Sequence, residues 1–142
     1  MLNRRMFFLL LISVAFLISC AGTKNVGGGL WGMLGGGKGV SALANSFSAN
    51  LQKNAVASKA LGAAGIESAR HGLYNTIAKA GGYGIEKGSD LASVLKGMNL
   101  DAAAVNGVGE SLNAAMADQK LRPEQEKAVT ELWKPINKQL AK

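Results

Sequence analysis

Pro123-Glu124-Gln125-Glu126-Lys127-Ala128-Val129-Thr130-Glu131-Leu132-Trp133-Lys134-Pro135-Ile136-Asn137-Lys138-Gln139-Leu140 decides the fold. A proline at the first helical position has its φ preset and lacks only an N–H that would have been orphaned there. Glu124 and Glu126 place negative charge at the positive end of the helix dipole. Val129, Leu132, Trp133, Ile136 and Leu140 recur at steps of three and four, which gathers them on one face of a helix. Lys127, Lys134, Lys138 and Lys142 fall on the opposite face. The helical phase is the same before and after Pro135, so the pattern predicts a helix kinked or restarted there rather than a chain reversal. The lysine face reads as a solvated surface or as a contact for phospholipid headgroups, lipopolysaccharide phosphates or an acidic partner.

Working back toward the amino end, the same period recurs in shorter pieces. Val40, Leu43, Phe47 and Leu51 predict a first helix from residue 40 to about residue 60, with Ser41 as its N-cap. Leu61-Gly62-Ala63-Ala64-Gly65 is a small-residue break. Ile66, Ala69, Leu73 and Ile77 form the stripe of a second helix, with Glu67 in its first turn, Lys79 in its last and Gly81-Gly82 as the stop. Residues 83–88 read as a turn or a short helix around Ile85. Ser89, backed by Asp90, then caps a compact helix through Leu91, Val94 and Leu95 to Gly97. Asn99-Leu100-Asp101 opens another over residues 102–118, with Val105, Val108, Leu112 and Met116 as its stripe. Gly107 and Gly109 each weaken that helix by about 1 kcal/mol relative to alanine, which leaves room for a kink or short break there. No stretch alternates with period two. The chain reads as all-α: a small bundle of about five short helices over residues 40–142, in which alanines let helices approach closely.

Upstream lies a different composition. Residues 21–39 hold a dense run of glycines, and glycine loses more backbone entropy on ordering than any other residue, which predicts a flexible tether. Leu30, Trp31, Met33 and Leu34 interrupt it. They leave room for an apolar plug that lies on a bilayer or docks on the domain, with Trp31 as the candidate membrane or partner contact.

Asn3-Arg4-Arg5 and the apolar run from Met6 to Ile18 form a leader too short for a comfortable membrane span of roughly 20 residues. It runs into Leu17-Ile18-Ser19-Cys20, which resembles the lipobox of bacterial lipoproteins: two aliphatic positions, a small residue, then cysteine. The resemblance covers about the first 22 residues and implies a route, not an activity. Residues 1–19 would be removed, and Cys20 would carry a diacylglyceryl thioether and an acylated, typically palmitoylated, amine. Residues 20–39 would be the lipidated terminus and tether. Ala21, in place of an aspartate, implies export to the outer membrane, facing the periplasm, in an organism that has one.

The chemistry of the remaining chain is sparse. The single cysteine has no partner for a disulfide, and the single histidine, His71, cannot form a zinc site alone. No metal or other cofactor is expected. His71 could serve as a base toward Ser68, but no nucleophile elbow accompanies it. Glu67, Glu86 and Glu110 are the carboxylates available for glycoside cleavage, and nothing in their spacing brings two together. The net charge of +7 suits an anionic surface. Nucleic-acid binding is not expected, since the aromatics are not interleaved with basic residues. Two readings follow. One is a non-enzymatic envelope lipoprotein whose helical domain binds a protein partner or supports assembly of an envelope complex. The alternative is a lipid- or amphiphile-binding module with an apolar pocket lined by Phe47, Leu73, Leu112 and Trp133.

Overall fold

The computed structural model describes residues 29–85 and 87–141. Cys20, the leader, Glu86 and Lys142 lie outside the described residues. Among the described residues six helices follow in order: α1 Gly29–Met33, α2 Gly36–Lys53, α3 Ala55–Ala80, α4 Leu91–Gly97, α5 Ala102–Asp118 and α6 Pro123–Leu140. No strand occurs among the described residues, and the architecture is a small all-α bundle.

At its centre is α2, whose Val40, Leu43, Ala44, Phe47 and Leu51 are all fully buried. It packs chiefly on α3 and α5, while α4 sits on α3 and α6 closes one side against α4, α5 and α1. Leu73 and Ile77 of α3, Leu91 and Leu95 of α4, Val108 of α5 and Val129 of α6 complete one continuous core. Each large aliphatic or aromatic side chain buried here contributes about 1.5–3 kcal/mol relative to exposure.

The helix boundaries differ from the sequence expectation in ways that have local causes. The first long helix starts at Gly36, which puts Ser41 inside it instead of at its cap. It ends at Lys53, not near residue 60, because Asn54 is both the end of α2 and the start of α3. The Asn54 backbone N–H donates to the Asn50 carbonyl at 3.0 Å, and its side-chain Oδ1 accepts from the Ala57 N–H at 3.0 Å. An asparagine in an otherwise helical pattern does this without any glycine or proline to announce it. The expected break at residues 61–65 is a kink at Gly62, where φ is 69° and ψ 173°, a conformation open to glycine.

Asp90, not Ser89, caps α4: its Oδ1 accepts from the Ser93 N–H at 2.9 Å. The Ser89 carbonyl instead accepts from Asn75 Nδ2, and the Leu91 N–H donates to Thr76 Oγ1, so α3 side chains hold the entry to α4. Asp101 caps α5 as expected, accepting from the Ala104 N–H at 2.8 Å. Gly107 and Gly109, which left room for a kink, do not interrupt α5, and the helix is continuous. A Cβ on Gly107 would lie 2.9 Å from Asn54 Oδ1 and 3.3 Å from Ala57, so the missing side chain admits the start of α3. In α6, Pro135 is exposed inside a helix that keeps its direction, and Val129 and Ile136 are its buried residues.

Candidate functional site

At the end formed by α1 and the last turns of α3, three aromatic side chains meet: Trp31, Tyr74 and Tyr83. Gly81 and Gly82 close α3 with paired backbone bonds, Tyr83 N–H to the Ala78 carbonyl at 2.8 Å and Gly82 N–H to the Lys79 carbonyl at 3.0 Å. Gly82 has φ +73°, the left-handed residue that this reciprocal ending requires. The turn fixes Tyr83 just past the helix end, where its ring stacks on Trp31 at 4.5 Å between centroids and 15° between planes. Trp31 also meets Tyr74 edge-on at 5.7 Å and 76°. Such offset and edge contacts are each worth about 0.5–1.5 kcal/mol beyond area burial.

Trp31 is held there by a close turn. Gly35 and Gly36 have φ of +89° and +76°, and a Cβ on Gly39 would be driven directly onto the Leu34 carbonyl. The indole edge lies 3.4 Å from the point where a Gly37 Cβ would stand. Gln125 at the start of α6 then ties the segment down. Its Nε2 donates to the Met33 carbonyl at 2.6 Å while its Oε1 accepts from the Arg122 N–H at 2.7 Å. Leu30 and Leu34 pack against the core beside it. From Gly29 onward, therefore, the expected tether is part of the domain. The glycines that suggested flexibility are instead the residues that let α1 lie close to α2. Tyr83 and Ile85 remain 48% and 56% exposed.

The lysine face of α6 is where the pattern put it. Lys127, Lys134 and Lys138 are exposed, and Lys134 Nζ pairs with Glu131 Oε1 at 2.8 Å. That hydrogen bond, with the charges of Lys134 and Lys127, holds the Glu131 carboxyl below its usual range. The pair is exposed to solvent and salt, so it contributes little to stability. Lys142 belongs to the same expected stripe but lies outside the described residues.

The other candidates are engaged in the surface of the bundle. Arg70 Nη2 donates to Glu67 Oε1 at 2.7 Å and lies 3.0 Å from His71 Nε2, which in turn is 3.2 Å from Glu67. Arg70 is the main cause of the depressed Glu67 carboxyl. Glu110 accepts from Asn54 Nδ2 at 3.2 Å and so buttresses the α2–α3 junction. Among the described residues no group of three or more His, Cys, Asp or Glu could hold a metal ion. No described helix is long and apolar enough to cross a membrane.

The expected ligand pocket is not formed by the residues named for it. Phe47, Leu73 and Leu112 are buried in the common core, and Trp133 lies at its margin over Gly109. A surface cleft of about 480 Å³ opens elsewhere, between α4, α5 and the end of α6, with Leu100 and Leu140 beside Asn99, Asp101 and Asn137. Tyr74, Tyr83 and Gln125 were not distinguished by the sequence pattern. The available signal was Gly81-Gly82-Tyr83, a glycine stop followed by the residue that such a stop turns toward the preceding helix. No family model, curated protein or solved structure matches the chain.

Proposed function

We propose that this chain is a membrane-anchored envelope lipoprotein whose small, non-enzymatic helical domain binds a protein partner or supports assembly of an envelope complex. One observation carries the reading: a basic and then apolar leader that ends at Leu17-Ile18-Ser19-Cys20 and contains no other processing signal of comparable specificity. Two or three acyl chains on Cys20 would anchor the domain stably, where one binds only marginally. Ala21 favours the outer membrane, with the domain in the periplasm. The exposed lysines of α6 and the half-exposed aromatics around Trp31 offer two chemically distinct contact surfaces, and neither reading requires a cofactor.

The amphiphile-binding alternative is supported by the cleft between α4, α5 and α6, whose mixture of leucines and amide side chains suits a molecule with an apolar and a polar part. Metabolic lipid labelling of the full chain tests the anchor. Cys20→Ser should abolish incorporated label and the membrane association that depends on it; label retained by the variant would remove the lipoprotein reading. Cross-linking in intact envelopes then separates the two activities. A discrete protein adduct weakened by Lys127→Glu with Lys138→Glu supports the partner reading, whereas co-purified amphiphile lost on Leu100→Lys supports the alternative.

A further inference from the structure

We infer that the Trp31–Tyr83–Ile85 end of the domain seats in the headgroup region of the phospholipid bilayer to which the chain is tethered. The inference rests on the reading of Cys20 as the anchor and adds to it an orientation. Three large apolar side chains stand exposed among the described residues, Val56, Tyr83 and Ile85, and two of them are at this end. The side chains are of the interfacial kind: tryptophan and tyrosine have an apolar ring and a polar edge, which is why both concentrate where hydrocarbon meets water.

The chain itself selects which end faces the lipid. Gly29 opens α1 two residues before Trp31, and the chain between Cys20 and Gly29 spans at most about 30 Å even when fully extended. An acylated Cys20 in the bilayer therefore keeps α1 near the surface at a high effective concentration, and weak interfacial contacts suffice to hold it there. Charge agrees with an anionic leaflet. Lys38 follows the glycines under Trp31, Lys79 is one turn before Tyr83, Lys87 is two residues after Ile85, and all three are exposed. The stack also gives the seat a fixed shape, since Trp31 is clamped between Tyr83 and Tyr74 and does not have to be ordered when it meets lipid.

The test uses the full processed chain reconstituted into vesicles of phosphatidylethanolamine and phosphatidylglycerol. Trp133→Phe leaves Trp31 as the one remaining tryptophan of two. Phospholipids brominated near the headgroup should quench its emission about twofold, and Tyr83→Ser with Ile85→Ser should remove about half of that quenching. Trp31→Phe, which leaves Trp133 as the reporter, should show little quenching. A nitroxide on Ile85→Cys, with both tryptophans intact, should become shielded from an aqueous relaxation agent on vesicle binding. Unquenched Trp31 and an unshielded nitroxide on chain that floats with the vesicles would overturn the seat and leave the anchor standing. Equal quenching of both tryptophans would also overturn it. Quenching and shielding retained when Cys20→Ser shows no change in lipid labelling would keep the seat and remove the anchor, and a chain that fails to float would remove both.

Discussion

The two tryptophans sit in similar sockets built from opposite kinds of sequence. Trp31 covers Gly36 and Gly37, and Trp133 covers Gly109, each indole resting where a missing Cβ leaves room. Both are partly buried at the margin of the same core. Yet Trp133 belongs to a long amphipathic helix announced by its own pattern, whereas Trp31 belongs to a five-residue helix with no buried residue of its own. Short helices are not stable alone, since nucleation costs more than one turn returns. The Trp31 socket exists because tertiary contacts hold it, and the Trp133 socket exists because a helix carries it there.

The largest expected effect breaks both sockets at once. Phe47→Ala removes a fully buried ring from α2, on which the core under both tryptophans is built, and should cost about 3–5 kcal/mol. Urea unfolding read by tryptophan emission should show one transition at a lower midpoint. Two separated transitions, one for each single-tryptophan variant, would mean that the sockets do not share a core.

A smaller effect should fall on one socket alone. Gly39→Ala forces a methyl against the Leu34 carbonyl, a backbone atom that cannot turn aside, so α1 must shift or undock at a cost of about 1–3 kcal/mol. Trp31 emission should move to the red while Trp133 emission is unchanged. A parallel shift of both would show that α1 supports α6 as much as α6 supports α1.

The smallest effect belongs to acid and lies between the two regions, at α4, which packs on both α3 and α6. The Ser93 N–H holds the Asp90 carboxyl below its usual range, and Lys79 assists. A depressed carboxyl contributes stability that is present above the ordinary aspartate range near pH 4 and is lost as pH falls through the lower, folded-state value. Asp90→Asn should remove that part of the acid dependence, and Asp90→Ala should cost about 1 kcal/mol at neutral pH. Melting curves at pH 7 and pH 3 check both, and an unchanged slope between them in Asp90→Asn would assign the acid dependence to other carboxylates.

Much of the bundle was legible because its helices announce themselves. The stripe through Val129 and Ile136, the proline start, the Asp101 cap and the Gly81-Gly82 stop are local signals, and each has its expected counterpart in the structure. What escaped was decided by contacts distant in sequence. Asn54 divides two helices through hydrogen bonds that any exposed asparagine could make, and Gly107 keeps α5 straight because the start of α3 needs the space. Glycine carries two opposite meanings, freedom when alone and closeness when packed, and residues 29–39 read as the first while they serve as the second. Of the contact residues, the exposed lysines follow from helical phase. The aromatic end required Tyr74, Tyr83 and Gln125, which lie 43, 52 and 94 positions from Trp31 and share no pattern with it.

The bond from Gln125 to the Met33 carbonyl joins residues 92 apart. A chain that is translocated unfolded, amino end first, brings out Met33 well before Gln125. During that interval α1 has only α2 and α3 to rest on, so the part of the domain made first is completed last. A chain clipped before residue 125 would stay in that unfinished condition, with the Met33 carbonyl deprived of its Gln125 donor.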